Sequence, residues 1–211
     1  MLHQAQTTLP AEIRDFPEWH HGRETYAVWI LALEEATIRD KFEAAREHLS
    51  AYLLEPYRRQ PHITLFVCGF LVDTPQYDDD FSHEQLRRQM QALEGTNFPA
   101  FEIEIGGLNS FASAPFLEVN DPEGGIVRLR EILLRSAREF RTAPYRPHLT
   151  VGLYAGAFPS EEVATRMAKF PVEPIRRRVE EITLATYQAN EFAGSLSYQY
   201  ILAFKPGSQD I

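Results

Sequence analysis

The order of apolar segments along the chain predicts an α+β fold containing a duplicated strand–helix–strand unit. Three observations carry that expectation. Short apolar runs of strand length alternate with longer stretches whose apolar residues recur at helical spacing. Strand-like segments also neighbour one another as hairpins would, which places helices over one face of each sheet. Finally, a Pro-His-[Ile/Leu]-Thr string occurs twice, in matching surroundings.

Taken in order, residues 1–24 show no clear period and read as a tail or edge extension, leaving 25–211 as one domain. Tyr26–Leu33 is a continuous apolar run of the length of a buried strand. From Glu34 to Leu54 the period changes. Ile38, Phe42, Ala45, Leu49 and Leu53 recur at three- and four-residue steps, one face of an amphipathic helix. Ile63–Leu71 is the next strand. Ser82 with Gln85 three residues on forms a capping box for a helix buried through Leu86, Met90 and Leu93. The Asp78–Asp80 run before it reads as a solvated turn, with a metal site as the alternative. Phe101–Leu108 alternates and then breaks at Gly106–Gly107, Pro115–Val119 is a short strand, and Ile126 to Phe140 returns to helical spacing. Leu149–Leu153 is a strand, and Ser160 caps a short helix through Phe170. Two strand-like segments, Val179–Tyr187 and Leu196–Phe204, finish the chain.

Bulk composition narrows the function. Of 211 residues, 44% are hydrophobic and 24% charged, the balance of an ordinary globular protein. The formal net charge of -9 weighs against a general nucleic-acid coat and favours a small or terminal phosphate, unless a basic groove overrides it locally. Cys68 is the single cysteine, so no intramolecular disulfide exists. The N-terminus lacks the apolar segment of a signal peptide and no long apolar run occurs, so the expectation is a cytoplasmic monomer.

The repeat carries the chemistry. Pro61-His62-Ile63-Thr64 and Pro147-His148-Leu149-Thr150 each begin an apolar strand that follows an amphipathic helix. Such a string is expected roughly 0.005 times in a chain of this composition, so two copies argue for duplication. Side chains alternate along a strand, so His62 shares a face with Thr64, and His148 with Thr150, while Ile63 and Leu149 face the other way. If the copies pack about a pseudo-twofold axis, two imidazoles and two hydroxyls meet across a groove. Phosphodiester cleavage needs one oxygen deprotonated and another protonated on opposite sides of phosphorus. Histidines titrate near neutrality and serve as that base and acid, and hydroxyls can donate to the non-bridging oxygens. No metal or other cofactor is required. The bland alternatives are structural histidines in a core, or a zinc site, for which two histidines fall short of three or four ligands.

At these residues the chain resembles the two-histidine (2H) phosphoesterase superfamily, and within it the 2′-5′ RNA ligase/RNA 2′,3′-cyclic phosphodiesterase group. The resemblance spans roughly residues 25–205, including HITLFVCGFL, PHLTVGL, FEIEIGGLNSFASAPFLEV and the closing strands. It implies a bilobal, pseudo-twofold fold, two antiparallel sheets flanking a central cleft with helices outside. It also implies metal-independent opening of a 2′,3′-cyclic phosphate to a 2′-phosphate, with 2′-5′ RNA joining in some members. The catalytic histidines map to His62 and His148, the phosphate-binding hydroxyls to Thr64 and Thr150. Many members carry an arginine shortly after the second motif, whereas this chain reads HLTVGLYAG. The resemblance implies an RNA 2′,3′-cyclic phosphate end or a cyclic nucleotide as substrate; the missing arginine bears on the RNA substrate more than on the reaction type and leaves another small cyclic phosphate, or binding without turnover, as alternatives.

Around the motifs, Arg59 before the first and Tyr145 and Arg146 before the second are candidates for phosphate pairing and base stacking at the cleft rim. Phe66 shares the nominal alternation of His62 and Thr64 and is the candidate stacking wall, with Phe70, Phe111 and Tyr154 behind it. Arg176–Arg178 read as a solvated sheet edge or a nucleic-acid contact. Cys68 reads as a small buried residue.

Overall fold

A computed structural model of the chain describes residues 1–141 and 143–205. A 3₁₀ turn at Leu2–Gln4 and a short helix α1 (Pro17–His20) precede strand β1 (Thr25–Ala32). Then follow α2 (Ala36–His48), β2 (His62–Val72), β3 (Asp80–Ser82), α3 (His83–Gly95), β4 (Phe101–Ser110) and β5 (Pro115–Asn120). The chain continues through α4 (Gly125–Ser136), β6 (His148–Thr150), α5 (Ser160–Met167), β7 (Ile175–Val179), β8 (Glu181–Gln188) and β9 (Ser197–Ala203).

The strands form one nine-stranded sheet in the order β7-β4-β5-β6-β2-β1-β8-β9, with β3 added in parallel beside the end of β2. Read from the centre outward the order is palindromic. The units β1-α2-β2 and β5-α4-β6 correspond, and the pseudo-twofold passes between β2 and β6. The expected two sheets are thus halves of one, joined where Ile63 pairs with Leu149. A single residue, Glu180, links β7 in one half to β8 in the other, which requires the sheet to curl. Its ends approach where Lys205 donates its N–H to Phe98 at 2.9 Å and accepts from Ala100 at 3.2 Å.

All four long helices cover one face. Ile38, Phe42 and Ala45 of α2, Leu93 of α3, Ile126, Leu129 and Leu133 of α4, and Val163 and Met167 of α5 share a core with Trp29, Ile63, Leu117 and Leu149 of the sheet. Gln89, fully buried among them, is satisfied by the indole of Trp29 at 2.8 Å and the Leu133 carbonyl at 3.2 Å. Ser82 and Gln85 form the expected capping box. A smaller cluster on the opposite face gathers Tyr26, Val28, Ile30, Val67 and Phe70 under Leu196, Trp19 and Phe140.

Several elements differ from expectation for identifiable reasons. The helix expected to reach Phe140 ends at Ser136, because Glu139 and Phe140 leave to contact β2 and the opposite-face cluster. The strand expected over Leu149–Leu153 stops at Thr150, after which the chain pairs with the segment following α2 through Leu54 and Ala155. Pro159, not Ser160, precedes α5, and the Ser160 hydroxyl is buried without a partner. Residues 1–24 lie against the domain: Leu2 and Thr8 are buried, Ala11 bonds Tyr154, and Trp19 packs on Phe70. Of the acidic run, Asp79 and Asp80 are held by Arg23, so the turn is not simply solvated. Among the described residues no group of three or more His, Cys, Asp or Glu is placed to hold a metal, and no helix is long and apolar enough to cross a membrane.

Candidate active site

The site is built by the central strand pair. Ile63 and Leu149 are antiparallel partners and both are fully buried toward the helices. Their neighbours therefore turn to the other face, as strand alternation demands. In this register His62 lies beside Thr150 and Thr64 beside His148. The two histidines then occupy one diagonal, with Cα atoms about 7–8 Å apart.

The imidazoles are held alike. Nδ1 of His62 lies 2.7 Å from the Gln60 carbonyl, and Nδ1 of His148 lies 2.8 Å from the Arg146 carbonyl. A carbonyl only accepts, so Nδ1 carries the hydrogen in both rings and Nε2 is left to take or give a proton. Among the described residues the buried polar side-chain atoms without a partner are Ser160 Oγ and Thr183 Oγ1, so neither Nε2, nor the hydroxyl of Thr64 or Thr150, is one of them. The carbonyl partners are themselves fixed. Gln60 exchanges two bonds with the backbone of Leu196, at 2.7 and 3.0 Å, and Arg146 pairs with Glu118 at 2.7 Å.

Burial depresses both histidines. His62 is brought down to about 4, first by desolvation and then by the charges of Arg59 and His148, against the opposing bond to Gln60. His148 is lowered in the same direction by burial, then by Arg141 and Arg146. The charge of His148 reaches His62, as their diagonal placement allows. The ring of His148 stands edge-on to Phe111 and Phe116, with centroids 4.9 and 5.4 Å away.

The sequence-predicted candidates divide. His62, Thr64, His148 and Thr150 share one face of the central pair. Arg59 lies near His62, with its guanidinium 4.0 Å over the ring of Tyr187. Arg146 is exposed and turned to Glu118. Tyr145 is not an open stacking surface: its hydroxyl donates to the Thr64 carbonyl at 3.0 Å and Arg130 covers its ring at 3.7 Å. Phe66 requires correction. Trp29 pairs with Phe66 and Ile30 with Thr64, so Leu65 is the extra residue of a β-bulge. The bulge reverses the alternation and sends Phe66, fully buried, into the helix-side core against Phe81. Cys68 follows it there. The basic triplet is paired throughout, Arg176 with Glu104, Arg177 with Glu35 and Arg178 with Glu180. Nothing in the sequence singles out Arg141, because a lone arginine in an aperiodic loop gives no signal. Its charge reaches His148, Tyr26 and Tyr187.

Comparison with known proteins shows the family and the fold. A family model described as the 2′-5′ RNA ligase superfamily matches residues 33–191. The chain belongs to that superfamily, the two-histidine phosphoesterases. Escherichia coli LigT complexed with 3′-AMP superposes with a TM-score of 0.62 at 18% identity, covering 86% of this chain and 99% of that one. TT0787 of Thermus thermophilus does so with a TM-score of 0.57 at 14% identity, covering 86% and 99%. Both share the superfamily's fold. No curated protein sequence matches.

Proposed function

We propose that this member of the 2H phosphoesterases hydrolyses a 2′,3′-cyclic phosphodiester, on a nucleotide or an RNA end, to a 2′-phosphate without a metal ion. The observation that carries the reading is the diagonal pair of imidazoles, each locked through Nδ1 to a backbone carbonyl with Nε2 free. One Nε2 removes a proton from water as its oxygen bonds to phosphorus. The P–O3′ bond breaks, and O3′ leaves with the proton given by the other Nε2. Thr64 and Thr150 donate hydrogen bonds to the non-bridging oxygens. His62, the more buried, is assigned as base and His148, the more accessible to water, as acid. Arg59 and Arg141, with no carboxylate partner among the described residues, offer local positive charge in a chain of net charge -9, where the usual arginine after the second motif is lacking. The capture of 3′-AMP by LigT, a relative in fold, fits a nucleotide substrate.

The test offers 2′,3′-cyclic mononucleotides and 2′,3′-cyclic-ended RNA side by side in EDTA, with the position of product phosphate read by NMR. A 2′-phosphate is expected. His62→Ala and His148→Ala should each slow turnover by about 100-fold or more while substrate still binds. Activity lost to EDTA, or retained in either variant, refutes the mechanism. Binding without any turnover would mark a noncatalytic protein instead.

A further inference from the structure

β6 stops after three residues, so β2 runs on beyond it with one edge uncovered, at the place where the Leu65 bulge breaks the ladder. Backbone groups in such a position need partners. Side chains of the second half provide them. Tyr145 donates to the Thr64 carbonyl at 3.0 Å, Arg130 donates to the Leu65 carbonyl, and the Glu139 carboxylate accepts from the Val67 N–H at 2.9 Å. The three are also bound to one another. Arg130 pairs with Glu139 at 2.9 Å and its guanidinium lies 3.7 Å over the Tyr145 ring. The Arg130 and Glu139 side chains are only 12% and 10% exposed.

An ion pair this buried gives little net stability over well-packed apolar side chains, because desolvation offsets the attraction. Geometry is what it supplies. Tyr145 lies three residues before His148 on the same segment, and its hydroxyl holds the carbonyl of Thr64 itself. The strut therefore ties the first His-x-Thr strand to the chain that carries the second. We propose that Arg130, Glu139 and Tyr145 are positioning residues that fix the separation and register of the two half-sites, acting through Thr64. Resting on the phosphodiesterase reading above, this assigns them no contact with substrate. It also explains why the bulge sits immediately after Thr64: the displaced backbone turns its polar groups to the other half.

The test compares Tyr145→Phe and Glu139→Gln, each alone and combined with Thr64→Ala. Three quantities are measured: kcat/KM on 2′,3′-cyclic AMP, calorimetric affinity for inorganic phosphate, and the thermal midpoint. Each single substitution should lower kcat/KM by about 10-fold, the scale of a sub-ångström misplacement. In the Thr64→Ala background the same substitution should cost less than about twofold more, since groups acting through one residue are not additive. A merely structural role predicts undiminished loss in that background, tracking the thermal midpoint, and would overturn the proposal. So would unchanged kcat/KM in both folded variants. Should Glu139→Gln not fold, Tyr145→Phe, which keeps the ring under Arg130, decides alone. If the wild-type protein does not turn over cyclic AMP, the functional reading fails and phosphate decides the strut. Affinity weakened by Tyr145→Phe, but not weakened further once Thr64 is alanine, upholds it; equal affinity in all variants refutes it.

Discussion

Replacing His62 by glutamine should flatten the acid side of the stability profile, and the structure sets by how much. The folded chain holds this imidazole neutral down to about 4, while the unfolded chain takes up its proton near the ordinary value of 6.5. Between those limits the unfolded state binds more protons, so stability falls as pH falls, and the loss is complete below about 4. The single group accounts for about 1.2 kcal/mol at pH 5.5 and about 2.8 kcal/mol at pH 4, relative to pH 7. His148 shifts in the same direction but is present in both proteins, so the difference between them isolates His62. Urea unfolding at pH 7, 5.5 and 4 measures it. His62→Gln should converge on, and relatively overtake, the wild-type protein as the solution is acidified. Parallel losses in the two proteins would show that His62 titrates normally, and the desolvated site described above would be wrong.

Three further outcomes follow from the same structure. The kcat/KM profile on a cyclic nucleotide should be bell-shaped with its maximum on the acid side of neutrality, because the proposed mechanism requires His62 neutral, above about 4, and His148 protonated, below its depressed value; a maximum above pH 8 would contradict both shifts. Arg23→Ala should cost about 3 kcal/mol by urea unfolding, since it leaves the Asp80 carboxylate, whose side chain is 2% exposed, with only the N–H groups of Gln76 and Tyr77 to offset its charge. Arg23→Lys should recover only part of that, having lost the stacking 3.8 Å over Phe70. Gly69→Ala should cost at least about 2 kcal/mol: φ is +107° and a Cβ there would stand 2.1 Å from the Asp79 carbonyl oxygen. A loss below about 0.5 kcal/mol would show that the β2–β3 junction relaxes freely.

Alternation and helical spacing make the duplicated unit legible, because Ile63 and Leu149 turn to the helix-side core for the reason their neighbours turn to the opposite face. The same rule misplaces Phe66. One inserted residue reverses the side chains beyond it until a second shift, between Val67 and Gly69, restores the original facing by Phe70, and no residue type around Leu65 announces a bulge. The break between β7 and β8 is equally silent, since Arg-Arg-Arg-Val-Glu-Glu contains no Gly, Pro or Asn to mark a change of partner. The N-terminal 24 residues show no pattern because their contacts are irregular: isolated bonds such as Thr8 to Phe158 and Arg23 to Asp79 leave no period. Arg130, Glu139 and Arg141 matter through partners distant in the chain, which local spacing does not encode.

A palindromic strand order has a chemical corollary. Were the halves identical, the two imidazoles would be interchangeable and a phosphorus atom on the axis would react equally toward either side. Direction must come from what the duplication has since lost in likeness. The leading departures are Gln60 clasping Leu196 on one flank and Phe111 standing against His148 on the other. On the proposed mechanism, exchanging that scenery between flanks, with both histidines untouched, is the change that would reverse which ring gives its proton away.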